Sequence, residues 1–168
     1  MSRWLPFLTL GLLLVGCSRD ATPLAAPRKE LQTMLTSRTI TVSIARSPRD
    51  VAAFVTNPAN LTAWLTFVTS VRQVGGEWVM ETAGGPMTIR FVEPNEQGIL
   101  DHHVRLPSGT EVLNPMRVIP NGQGSEVLFT LFRLPEMTES QFAEDAATVE
   151  KDLTTLRHAL ENEPSASR

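Results

Sequence analysis

Near its end the chain carries the pattern of one long amphipathic helix, and the stretch before that helix reads as short strands. Phe142, Ala146, Val149, Leu153, Leu156 and Leu160 step by four and three along a single face, while Glu139, Glu144, Glu150, Lys151 and Arg157 occupy the others. Thr138 and Gln141 have the spacing of a capping box, Met137 and Phe142 that of a hydrophobic staple, and Pro164 lies beyond the end. The spacing predicts about six helical turns. A helix with so long an apolar face must be covered, and the strands are what can cover it. Strand candidates lie at 67–74, 77–82, 87–93, 98–106, 110–119 and 125–134, separated by turn residues such as Gly75-Gly76, Gly84-Gly85-Pro86 and Pro107-Ser108-Gly109. Connections this short between successive strands predict an antiparallel meander.

The front of the body adds one strand and two helices. Ile40, Val42 and Ile44 alternate with Thr39, Thr41 and Ser43, the period of a half-buried strand. Ser47 suits a helix cap, Pro48 the first helical position and Asp50 the positive end of the helix dipole. Val51, Phe54 and Val55 then share a face. Asn57-Pro58 repeats the cap-then-proline signal ahead of Leu61, Trp64 and Leu65. The order is strand, two short helices, about six strands, one long helix. A curved sheet wrapped on a helix leaves space between the two, and that space is the natural ligand site.

Cys17 is the only cysteine, and it closes Leu14-Val15-Gly16-Cys17, which resembles the bacterial lipobox. Arg3 supplies the positive charge of a signal peptide, residues 5–15 its apolar stretch and Gly16 the small residue at the cut. The apolar run is about 11 residues, short of the roughly 20 needed to span a bilayer. A lone thiol in an oxidising compartment is a liability that lipidation removes. The expectation is a signal peptide at 1–16, a lipid-bearing Cys17 opening a solvated, proline-broken tether at 17–37, a domain at 38–161 and a tail at 162–168. The chain would then sit in the bacterial cell envelope on the periplasmic side, held to the membrane by the lipid on Cys17. Ser18 stands where some bacteria read an aspartate as an inner-membrane signal, which favours the outer membrane.

Of 168 residues, 15 are Lys or Arg and 18 are Asp or Glu. Losing Arg3 with the signal peptide leaves 14 bases against 18 acids, a formal charge of −4. That balance argues against nucleic acid and against electrostatic docking on anionic lipid.

The element order and several local stretches resemble the SRPBCC superfamily, which includes START domains, polyketide cyclases and the major birch-pollen allergen. The stretches are Ile40 to Ile44, Ser47 to Val51, Asn57 to Trp64, Gly98 to His102, Pro115 to Val118, Gly124 to Arg133 and Asp152 to Leu156. The resemblance implies an α+β helix-grip fold: a curved antiparallel sheet of about seven strands wrapped on the C-terminal helix, with two short helices after the first strand. It covers essentially the whole domain. It does not fix a function, because such cavities serve lipid carriage, hormone sensing and ring-closing catalysis alike.

Asp101-His102-His103 is the histidine cluster of the chain. Adjacent strand residues point to opposite faces, so His102 and His103 cannot both face one cavity. His102 shares a face with Leu100, Val104 and Leu106, which makes it the cavity candidate, while Asp101, His103 and Arg105 point to solvent. Arg117, among Met116, Val118 and Ile119, belongs to a strand expected beside Asp101. It either turns inward to hold a ligand carboxylate or Asp101, or lies on the outer face. Asn114 and Glu111 share that ambiguity. Trp64 falls where the second short helix of this fold flanks the cavity mouth, and Phe129 is a candidate for its wall. The ligand-binding set is therefore Trp64, His102, Asn114, Arg117 and Phe129, and the catalytic candidates are Asp101, His102, His103 and Arg117. No metal centre is expected, nothing points to a nucleotide, flavin or other cofactor, and without tyrosine there is no tyrosine acid or base.

Three functions fit this set. A cavity could bind a small apolar ligand such as a lipid, isoprenoid or aromatic compound. A cyclase, dehydratase or hydrolase could use the His/Asp/Arg cluster, which requires those side chains to converge in one cleft. A packed domain could instead bind an envelope protein through its sheet edge or helix.

Overall fold

The computed structural model describes residues 34–162. The expected lipobox with Cys17, most of the expected tether and the last six residues lie outside the described residues. Strand β1 spans Ser37–Ile44. Helix α1 covers Pro48–Val55, where Ser47 Oγ accepts from the Asp50 N–H at 3.2 Å. A 3₁₀ turn at Pro58–Asn60 leads into α2, Leu61–Trp64, and Asn57 caps that turn by accepting from the Ala59 N–H. Both short helices thus start at the cap-then-proline signals.

The strands that follow are β2 Val68–Val74, β3 Glu77–Thr82, β4 Met87–Phe91, β5 His102–Arg105, β6 Glu111–Asn114, β7 Met116–Asn121 and β8 Gly124–Phe132. They pair antiparallel in two sets, β1-β8-β7 and β2-β3-β4-β5-β6. The expected strand at 110–119 is two strands, which raises the count from about seven to eight. Pro115 sits at the break and has no N–H to give to a ladder. Before it, β6 pairs with β5, with Asn114 opposite His102; after it, β7 pairs with β8, with Met116 opposite Phe129.

The expected strand at 98–106 is also shorter, because its first residues form a seam instead. The Leu100 N–H donates to the Met116 carbonyl and the Val118 N–H to the Gly98 carbonyl, both at 2.9 Å. Gly98 has φ of 68°, and a Cβ there would stand 2.0 Å from the Val118 carbonyl oxygen. Only glycine permits that approach.

Helix α3, Glu139–Asn162, lies across the sheets. Its start is the expected box: the Gln141 N–H donates to Thr138 Oγ1, and Gln141 Oε1 accepts from the Thr138 N–H. Phe142, Ala146, Leu153, Leu156 and Leu160 are buried and join one core with Ile40, Ile44, Met116, Val118, Val127 and Leu131 from the strands. Val51, Val55, Leu61 and Trp64 of α1 and α2 close the same core. Along β8 the buried residues alternate without a fault, from Ser125 to Leu131.

Candidate functional site

Between the sheet and α3 lies a cavity of about 610 Å³. Strand alternation decides its sheet-side wall. Ile89 stands opposite Val104, Val104 opposite Val112, and His102 opposite Asn114, and all five point inward. Met80, Met87, Phe129 and Leu131 add to this wall, and Trp64, Leu65 and Phe67 also line the cavity.

The helix-side wall is different in kind. Gln141, Glu144, Asp145, Thr148 and Asp152 line the cavity from α3, with Val149 and Leu153 between them. Their spacing by three and four sets them on one stripe beside the apolar stripe that enters the core. Asp152 is buried, and its Oδ1 accepts from both the N–H and the hydroxyl of Thr66 at 2.8 Å. This latch ties the residues just after α2 to the middle of α3. Burial pushes the Asp152 carboxyl above its ordinary range, with the two Thr66 donors working against that rise. Asp145 is also raised by burial. Neither aspartate was among the candidates read from the sequence. Their position one residue before Ala146 and Leu153, on the flank of the apolar stripe, is the signal that marks them.

His102 faces the cavity from β5 and is 5% exposed. Its ring lies 5.0 Å from that of Phe91 and 5.9 Å from that of Phe129. Desolvation there lowers its pKa to about 4. Nδ1 lies 3.1 Å from the Leu100 carbonyl. A carbonyl only accepts, so Nδ1 carries the proton, and the neutral ring leaves its lone pair on Nε2.

Of the expected ligand-binding residues, Trp64, His102, Asn114 and Phe129 line the cavity. Arg117 does not. It pairs with Asp101 through Nη1, which also donates to the Met116 carbonyl at 2.8 Å, and its side chain is 40% exposed. Asp101 accepts in addition from the Met116 N–H. His103 points to the other face of β5, where Nδ1 lies 2.8 Å from Glu111 Oε1. Asp101, His102, His103 and Arg117 therefore do not share a cleft. Strand alternation separates the two histidines, and the Asp101–Arg117 pair belongs to the seam. Among the described residues, no three His, Cys, Asp or Glu side chains are placed to hold a metal ion.

A meander split at a proline, one long covering helix and an open-mouthed hollow between them define a helix-grip domain with a ligand-sized cavity. Residues 36–162 match the family described as polyketide cyclase / dehydrase and lipid transport, and the chain belongs to that SRPBCC family. Solved structures of similar fold include the protein XoxI from Bacillus cereus, with a TM-score of 0.62 and 16% identity over 76% of this chain and 97% of that one. The Aha1 dimer from Colwellia psychrerythraea gives 0.61 and 18% over 76% and 98%. A protein from Rhodobacter sphaeroides gives 0.61 and 22% over 79% and 97%. At these identities the likeness concerns the fold alone. No curated protein matches the chain.

Proposed function

We propose that this chain is a lipid-anchored envelope protein whose cavity holds a small apolar molecule. The observation that carries the binding reading is the cavity itself: about 610 Å³, walled by Met80, Met87, Ile89, Val104, Phe129 and Leu131, with a few polar groups among them. The lipid-transport description of the family supports the same reading. The lipobox ending at Cys17 supports the anchor and narrows the ligand pool to molecules of the envelope. The enzyme reading has less support, because its residues lie on opposite faces of β5 and at the seam.

The test is direct. The protein lacking residues 1–17 is purified, extracted with organic solvent and examined by mass spectrometry, and the stripped protein is titrated with a neutral apolar fluorophore. A co-purified apolar compound or saturable uptake of the fluorophore is expected. Neither being found would refute the binding reading. For the anchor, Cys17→Ser is expected to release the domain from the membrane fraction. Retention of the cut variant on membranes would show that Cys17 is not the anchor.

A further inference from the structure

Charge is unevenly distributed around the cavity. Glu144, Asp145 and Asp152 line it from α3, and no lysine or arginine is among its lining residues. Arg117 and Arg133 are engaged elsewhere, with Asp101 and Glu139. The Asp145 carboxylate accepts no hydrogen bond from any described residue, and Asp152 spends only Oδ1 on Thr66. Acidic side chains along a helix are ordinarily solvated groups and no more. The opposite wall gives these a further meaning.

His102 is buried, its Nδ1–H is used by the Leu100 carbonyl, and its Nε2 has no partner among the described residues. Trp64 Nε1 is the side-chain polar atom that is both fully covered and unpartnered among the described residues. His102 lines the cavity, and Nε2 is the acceptor that its neutral ring has left to offer there. The indole N–H, being covered, presents nothing to the hollow. Asn114, Gln141 and Thr148 add neutral groups. Both walls thus offer hydrogen-bond acceptors, and neither offers a cation.

We infer that the cavity takes an apolar molecule whose polar end donates hydrogen bonds and bears no negative charge, an amine or an alcohol, and rejects the same apolar body ending in a carboxylate or phosphate. The inference rests on the cavity being the binding site proposed above. A protonated amine meets the helix-side carboxylates with both charge and donors. An alcohol satisfies an acceptor without charge. An anion is brought beside like charges in a partly desolvated place with nothing to neutralise it.

The test uses probes with one tail and three heads: decylamine, decanol and decanoate. Each competes with N-phenyl-1-naphthylamine, a neutral apolar fluorophore, on the purified full chain at neutral pH. The amine is expected to displace the fluorophore at a concentration about tenfold below decanoate, with decanol between. The double variant Glu144→Gln with Asp145→Asn breaks no contact inside the domain, since Gln keeps the acceptor that Ser140 uses. It is expected to shrink the amine-to-carboxylate gap to roughly threefold or less while leaving decanol nearly unchanged. His102→Phe is expected to weaken decanol several-fold. Decanoate binding as tightly as decylamine overturns the head-group inference and leaves the cavity as a binding site. A gap that survives the double substitution overturns its assignment to these carboxylates. Failure of the fluorophore and of all the probes to bind overturns the binding reading itself.

Discussion

Seated between Phe91 and Phe129, His102 can take up a proton only at the expense of burying a charge. The unfolded chain protonates this residue near 6.5 and the folded chain near 4. As pH falls between those values the unfolded state binds more protons, so the stability supplied by the neutral ring is whole above 6.5 and is lost on the way down. The difference in unfolding free energy between wild type and His102→Gln is expected to fall by about 3 kcal/mol across that window. Urea melts at successive pH values measure it, and an imidazole titrating near 6.5 by NMR would contradict it. Asp145 and Asp152 act in the opposite sense. Their raised pKa values favour the protonated form, so their contribution is largest below 3.8 and declines as pH rises through the folded value. Trp64 offers a second residue-scale test. Its covered indole N–H has no partner among the described residues, a loss of about 1–3 kcal/mol for the folded state. Trp64→Phe removes that loss along with some buried area, and is expected to change the urea midpoint far less than other truncations in this core. Strand alternation put His102 and His103 on opposite faces, and the apolar neighbours Leu100, Val104 and Leu106 predicted that His102 is the inward one. The flank position of Asp152 beside Leu153 was legible, but its bond to Thr66 was not, because that partner is 86 residues away in the chain.

Two elements can be tested by single substitutions. Leu156 of α3 is fully buried, so Leu156→Ala is expected to cost about 2–5 kcal/mol in chemical denaturation. The seam at Gly98 allows a cleaner comparison. Gly75 and Gly98 both have positive φ, but a Cβ at Gly75 meets nothing within 4 Å while one at Gly98 strikes the Val118 carbonyl oxygen. Gly75→Ala is expected to cost about 1–2 kcal/mol from backbone conformation alone. Gly98→Ala is expected to cost clearly more, and equal costs would show that the seam gives way freely. The helix was legible almost to its ends, since the period of its apolar stripe, its capping box and Pro164 all agree. The strands were legible where turns bound them, as at 77–82. The reading of 110–119 as one strand followed the apolar residues on either side of Pro115 and passed over the proline, which was the local sign of the break. Which sheet each half joins depends on β5 and β8, and no local pattern encodes that choice.

At the scale of the molecule, the architecture follows from one requirement: a long apolar helix face needs a concave sheet. The family match and the structural neighbours agree with that order of elements. The cavity was expected from the order as well, but its character was not, because Glu144 was placed only off the apolar face of the helix and Asp145 and Asp152 were given no place. If the hollow is a binding site, ligand at a hundred times its Kd raises unfolding stability by about 2.7 kcal/mol. A Val104→Phe variant, which drives a ring into the hollow, is expected to lose most of that increment in a thermal melt.

The stripe has a consequence for how this domain can change. Asp145 is half-buried beside the core and its carboxylate has no hydrogen-bond donor among the described residues, so at this position the helix is held short of its most stable sequence. Asp145→Leu is therefore expected to raise the melting temperature and to weaken uptake of an amine. Selection for robustness alone would erase Asp145. On the reading proposed above, a chain that keeps it trades folding free energy for what the cavity admits.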